Sequence, residues 1–205
     1  MAQTQPVKGN PWFAVGNKLG DRTLAQQMEG LDRLFAEVEG KTVLDVGCAE
    51  GLISIELAKS GADVHGYEIR TQAVKDAKAA AQRLKVDVSN RRHDDSTMVP
   101  GAVSFAETDA NTFTPNIDYD IVIMLAVLHK LKNPTAACAR IVAHALDLVV
   151  IRLPPEHAPT IIDDRSGNEP HHIGTTMEKC GFVLEHAACD GPFGEWVGYY
   201  RRVRA

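Results

Sequence analysis

The segment D-V-G-C-A-E-G, running from Asp45 to Gly51, carries the densest chemical signal in this chain of 205 residues. An apolar run precedes it and another follows, the order of a strand, a tight loop and a helix. Glycines at 47 and 51 suit a backbone that must turn sharply or admit a ligand where a Cβ would obstruct it. Glu68 closes the next apolar run about 20 residues further on, where an acid can accept hydrogen bonds from ribose hydroxyls. A dinucleotide fingerprint would need glycines at 47, 49 and 52, but Ala49 and Leu52 stand at two of these. A carboxylate at Asp45 is badly placed for a pyrophosphate and well placed for a ligand carrying an ammonium and a sulfonium; the lesser reading is that it caps the helix or holds the loop. His129 follows a further apolar run, and its type suits proton removal near neutrality; the other reading is that it hydrogen-bonds loop backbone. His157, His171 and His172 lie in the polar tail. Adjacent histidines do not easily chelate one metal, and no metal is expected.

These groups need elements to hold them. The first twenty residues are rich in Gly, Pro and Asn and embed Trp12 and Phe13, as in an arm that packs by its aromatics. Thr23 and Gln26 have capping-box spacing, and Leu24, Met28, Leu31, Phe35 and Val38 follow helical periodicity as far as the stop at Gly40. Strands over 42–46, 63–67, 103–106, 119–125 and 148–153 then alternate with helices over 52–59, 71–84 and 134–145, with a long polar connection at 85–101. Strands this apolar, spaced by helices, indicate a parallel sheet covered on both faces. A short helix ending near Cys180 leads to strand-like runs over 182–189 and 195–203. The link between those two runs is short enough only for a hairpin, so the last strand runs antiparallel.

With these residues in view, the chain resembles the class I S-adenosylmethionine-dependent methyltransferases over roughly residues 42 to 200. The resemblance rests on the Asp45–Gly51 loop, on Glu68, on T-D-A at 108–110, on the segment from Asp118 to His129, and on the closing hairpin opened by Gly181 and Phe182. It implies a Rossmann-like α/β fold: a mostly parallel seven-stranded sheet with an antiparallel last strand and helices on both faces. Residues 1–40 become an arm and helix capping the active site, and 41–205 the cofactor-binding domain. The implied cofactor is S-adenosyl-L-methionine, leaving as S-adenosyl-L-homocysteine, held by Asp45, Gly47, Cys48, Ala49, Gly51, Glu68, Ile69, Asp109, Ala110 and Leu125. In that family the acid at Asp109 takes the adenine amine and Ala110 donates its backbone N–H to the ring; Asp109 could also be a turn residue. The chain departs from the pattern at Ala49, where glycine is frequent, at 143–147, where a Gly-Gly turn is usual, and in the length of 85–101.

The acceptor is narrowed mainly by what is missing. No Asn/Asp-Pro-Pro-Tyr/Phe and no Pro-Cys follow the 119–125 strand, which weakens methylation of adenine or glutamine nitrogen and removes the covalent route to cytosine. The metal pattern of catechol methylation is absent as well. A small molecule methylated at oxygen or nitrogen is the expectation, with Trp12, Phe13, Arg152, His157 and His172 around it and His129 as the candidate base. The alternatives are an RNA methyltransferase standing on Arg91, Arg92, Arg201, Arg202 and Arg204, and a non-catalytic S-adenosylmethionine-binding partner subunit. A net charge of −5 argues against extended nucleic-acid binding. Cys48, Cys138, Cys180 and Cys189 form no zinc spacing and read as reduced thiols. No apolar run is long enough to span a bilayer and the first ten residues lack a signal-peptide pattern, so a soluble cytoplasmic protein is expected.

Overall fold

The computed structural model describes residues 23–88, 97–154, 170–188 and 194–204. Trp12, Phe13, Arg91, Arg92, His157 and Cys189 lie outside them. Eight strands form one sheet: β1 (Thr42–Val46), β2 (Asp63–Glu68), β3 (Asp87–Val88), β4 (Ala102–Glu107), β5 (Tyr119–Leu125), β6 (Ala145–Leu153), β7 (Phe182–Ala188) and β8 (Trp196–Arg202). Their order is β3-β4-β2-β1-β5-β6-β8-β7. Pairings from β3 through β6 are parallel, and β8 runs antiparallel to both β6 and β7. The reversed last strand expected from the short hairpin link is therefore present. One strand exceeds the expected seven: β3, two residues long, lies in the segment read as a polar connection and extends the sheet beyond β4.

The helices are α1 (Leu24–Met28), α2 (Asp32–Glu37), α3 (Leu52–Lys59), α4 (Thr71–Arg83), α5 (Pro134–Val142) and α6 (Pro170–Lys179). On one face of the sheet Leu34, Ile55, Leu57 and Ala77 pack against Val43, Val64, Ile121 and Val150. On the other, Ile141, Ile173 and Met177 pack against Leu44, Val122 and Val149. Strands buried on both faces are what the continuous apolar runs require. The strand order reverses between β1 and β5, so a crevice opens at the carboxyl ends of these two strands.

Two boundaries differ from the periodicity reading. Helix α5 stops at Val142, and β6 starts at Ala145 where Tyr119 offers a partner, so the helix-to-strand turn lies three residues earlier than expected. The single helix expected from residue 24 onward is two. The capping box of Thr23 and Gln26 is formed, but the helix breaks at Glu29 and Gly30, where Gly30 takes a positive φ of 73°. The cause is tertiary. Arg152 donates from Nη2 to the carbonyls of Gln27 and Glu29 at 3.0 and 2.7 Å, and Tyr199 donates its hydroxyl to the carbonyl of Gly30 at 2.6 Å. Three carbonyls that a continuous helix would use internally are taken by buried side chains of β6 and β8. After the break, Leu31, Leu34 and Val38 enter the core fully buried.

Arg152→Met should therefore destabilise the protein by about 3 kcal/mol, because it frees two carbonyls and removes a buried cation from beside Glu195. Denaturant unfolding would measure the loss. Hydrogen exchange should show it as lost protection across residues 24–30.

Candidate active site

The glycine loop is shaped first by the protein itself. After β1, the backbone N–H groups of Gly47 and Cys48 both donate to the carbonyl of Tyr67, at 2.8 and 3.0 Å, folding the loop over the end of β2. Gly47 has φ 81°, and a Cβ on it would sit 2.7 Å from the Val127 side chain. Gly51 has φ 78°, and its Cβ would meet the Phe105 ring and the Ala77 Cβ at 2.7 and 2.8 Å. Both glycines are thus demanded by packing as well as by the turn. Ala49 also lies in the left-handed region, at φ 50°, a conformation that costs an L-residue roughly 1 kcal/mol. Glycine would carry no such cost. The N–H of Ala49 donates to Glu68 Oε2 at 3.1 Å, which holds the strained residue in place.

Three carboxylates gather around this loop. Asp45 is buried, and its Oδ2 accepts a 2.5 Å bond from the Ser54 hydroxyl, tying β1 to α3. Glu68, buried at the end of β2, accepts from the backbone N–H and the Nε of Arg70 at Oε1, each at 3.0 Å. Glu50 is buried with Oε1 3.5 Å from Arg70 Nη2, while its Oε2 has no hydrogen-bond partner among the described residues. Arg70 serves two of these acids at once. Burial, the charge of Asp45 and that of Glu68 hold the Cys48 thiol well above its usual range, so it is inert as a nucleophile.

The remaining walls come from β4 and β5. After β4, Asp109 opens a turn in which its carbonyl accepts from the N–H groups of Thr112 and Phe113. Its Oδ1 takes both the N–H and the side-chain amide of Asn111, at 2.9 and 2.8 Å. Those bonds hold the carboxyl below the usual range and keep it charged. Arg140 of α5 fixes the turn by donating to the carbonyls of Phe113, Ala110 and Asn111. Beyond β5, Ala126 turns the chain at φ 55°, and His129 sits half-buried in the 3-10 turn Leu128–Lys130. Ile69 is 56% exposed immediately after Glu68. The sequence-derived set of Asp45, Gly47, Cys48, Ala49, Gly51, Glu68, Asp109, Ala110 and Leu125 thus lies at the ends of adjacent strands. His172 is exposed on α6, and Arg152 is engaged with the turn after α1. Glu50, Ser54, Arg70 and Arg140 escaped the sequence reading. Only Glu50, inside the loop, carried a signal that could have found it. Among the described residues no three His, Cys, Asp or Glu side chains gather as a metal site.

The sequence profile of a family described as a methyltransferase domain matches residues 21–153, well over half of the chain. The chain belongs to the class I S-adenosylmethionine-dependent methyltransferases. Ubiquinone biosynthesis O-methyltransferases of Bordetella avium and Hahella chejuensis are 30% and 32% identical to it over 119 and 116 residues. These alignments take in 57% and 55% of the chain but only 44% and 43% of the relatives, so it spans less than half of their length. The crystal structure of magnesium protoporphyrin IX methyltransferase from Synechocystis PCC 6803 with bound S-adenosylmethionine matches with a TM-score of 0.66 at 21% identity, covering 88% of this chain and 80% of that one. A methyltransferase from Mesorhizobium loti matches with the same TM-score at 15% identity, covering 87% and 98%. At such identities the likeness is one of fold.

The donor set of this methyltransferase fits its family's cofactor. S-adenosylmethionine is cationic at sulfur and nitrogen and offers ribose hydroxyls and an adenine amine, all of which seek acceptors. The site supplies acids in excess of cations and an orphaned oxygen on Glu50. That excess has a cost in the ligand-free protein. Burial, with a smaller push from Glu68, raises Asp45 to about 7 against the opposing bond from Ser54. Its folded pKa thus lies above the unfolded value of roughly 3.9. The stability this group contributes is present below about pH 4 and lost as pH rises through about 7. Asp45→Asn should remove that decline, so the variant should melt above wild type at pH 7.5 and close to it at pH 4.5. Melting curves across that range would test it.

Proposed function

We propose that this methyltransferase moves a methyl group from S-adenosylmethionine to an oxygen of a small-molecule acceptor. The observation that carries the reading is the set of buried acids around the glycine loop, at the point where the strand order reverses. The choice of oxygen is supported by the O-methyltransferase relatives. The cofactor, when bound, supplies an electrophilic methyl on a sulfonium. Catalysis then rests largely on placing the acceptor oxygen in line with that methyl. In this reading Glu68 accepts from the ribose hydroxyls, Asp109 turns Oδ2 to the adenine amine, and exposed Ile69 offers the ring an apolar face. Leu125 and the turn at His129 border the acceptor.

The alternative of an RNA acceptor is weakened by its own proposed footing. Arg201 pairs with Glu37, Asp147 and Glu185, Arg204 lies 3.6 Å from Asp147, and Arg202 donates to the Ala145 carbonyl beneath the Phe182 ring. Arg201 and Arg202 are thus already neutralised or engaged, and only Arg204 of these three keeps its side chain largely in solvent, 87% exposed. Labelled S-adenosylmethionine incubated with cell extract should place label in the small organic fraction. Label in RNA would overturn the acceptor class, and no transfer at all would make the chain a binding subunit.

Glu68→Ala should lower cofactor affinity by about 2–3 kcal/mol, since it removes charge-assisted bonds to two hydroxyls as well as the anchor of Ala49. Calorimetry on a variant with a native melting curve would show it. His129 separates two modes of catalysis. A general base would make His129→Ala lower kcat by ~10²–10⁴ and remove a limb of the pH–rate profile. In-line placement alone predicts a loss below about tenfold with the profile intact, and this is the outcome expected.

A further inference from the structure

Glu68 is the acid that the proposed function gives to the ribose, yet the protein already fills most of its acceptor sites. A carboxylate offers about four lone-pair sites, two on each oxygen. Oε2 accepts from the N–H of Ala49 at 3.1 Å. Oε1 accepts twice from Arg70, from its backbone N–H and from its side-chain Nε, each at 3.0 Å. Among the described residues three sites are thus taken, and the one left open is on Oε2. A ribose presents two neighbouring hydroxyls. One suits the open site, and the other needs a site that already holds a donor.

The three donors differ in how readily they can leave. Two are backbone N–H groups, one in the glycine loop and one on the N-cap residue of α4, and the fold fixes both. The third is the guanidinium of Arg70, at the end of a flexible side chain that is 48% exposed. A second acid lies within its reach. Arg70 Nη2 is 3.5 Å from Glu50 Oε1, close enough for an ion pair but beyond the usual hydrogen-bond range. Glu50 Oε2 has no hydrogen-bond partner among the described residues. A buried carboxylate with an unanswered oxygen is costly. Burial raises Glu50 above the usual carboxylate range, against the opposing charge of Arg70. Closer approach of the guanidinium would answer the oxygen and relieve the charge together.

We propose that Arg70 is a displaceable occupant of the ribose site and that Glu50 is the acid that receives it. Arg70 Nε releases Glu68 Oε1 to the second hydroxyl, and the guanidinium pairs with both oxygens of Glu50. The exchange leaves the cation with a carboxylate throughout, so the hydroxyl is not bound at the expense of a lost ion pair. Arg70 and Glu50 are positioning residues, acting on the ribose through Glu68. The inference rests on the reading of Glu68 as the ribose acid. It adds a reason for a buried acid at position 50 and an arginine two residues after Glu68.

Two probes separate this exchange from ordinary loop packing. S-adenosylhomocysteine carries both ribose hydroxyls, while its 2′-deoxy analogue carries one, for which the open site on Oε2 suffices. In calorimetry on the full chain, Glu50→Gln, which keeps shape and removes charge, should weaken S-adenosylhomocysteine about tenfold. The same variant should leave the 2′-deoxy analogue within about twofold. Arg70→Met removes the competing donor, so S-adenosylhomocysteine should bind at least as tightly as to wild type. Adding Glu50→Gln to Arg70→Met should then change that affinity by less than about twofold. Equal weakening of both probes by Glu50→Gln would make Glu50 a residue of loop shape and overturn the proposal, as would weakening of neither. A Glu50→Gln loss that persists beside Arg70→Met would also overturn it, since Glu50 would then meet the ribose itself. The two probes on Glu50→Gln decide the matter even where Arg70→Met does not fold. Wild-type protein that bound both probes equally would instead remove the ribose role of Glu68, and failure to bind either would remove the cofactor assignment.

Discussion

Negative charge buried at the carboxyl ends of β1 and β2 is the constraint on which the rest of this site depends. Asp45, Glu50 and Glu68 are all buried, and Arg70 reaches two of them. A protein selected for stability alone would not leave an orphaned carboxylate oxygen there, nor push an aspartic acid to about 7 by burial. The arrangement makes sense when a cationic, hydroxyl-rich ligand completes it. In the proposed reading its charge would lift the penalty on Asp45, and its donors would answer acceptors that the protein leaves in surplus. Instability of the ligand-free site and affinity for the cofactor have the same electrostatic origin.

The loop that carries these acids is held from outside by neighbours that do not themselves touch the reaction. Val127 presses on Gly47, Phe105 and Ala77 press on Gly51, and Glu68 holds the N–H of strained Ala49. Glu68 thereby holds the loop geometry, and in the proposed reading it also receives the ribose, so its loss is expected to register in both. Arg140 does comparable work for the turn at Asp109, gathering three carbonyls with one guanidinium. Rigid placement suits the proposed transfer, in which a sulfonium methyl needs alignment more than activation.

Much of the framework was legible in the sequence. The alternation of apolar runs with helical periodicities located every long strand and helix of residues 42–153, because strands buried on both faces leave continuous hydrophobic runs. The glycine loop and Glu68 were legible because left-handed turns restrict residue type and because strand ends impose a spacing. Two-residue β3 left no such trace, since so short an element has no period to read. The break between α1 and α2 was also illegible. Met28, Leu31 and Phe35 keep helical spacing across it, and what ends the helix is capture of three carbonyls by Arg152 and Tyr199, more than a hundred positions away in the chain.

The sequence by itself thus determined the doubly covered parallel sheet, the reversed last strand, and the cofactor loop with its acids, all of which follow from local periodicity and local stereochemistry. Tertiary structure decided which of those residues bear unequal charge and which lack partners. Asp45 is acidic in any unfolded chain; only burial beside Glu68 raises it to about 7. Gln27 reads as an ordinary polar residue on a short amphipathic segment; only docking against β6 buries it, with no hydrogen-bond partner for its Nε2 among the described residues. Desolvation and long-range pairing are properties of what surrounds a group in space, and a sequence pattern records neither until the chain has closed on itself.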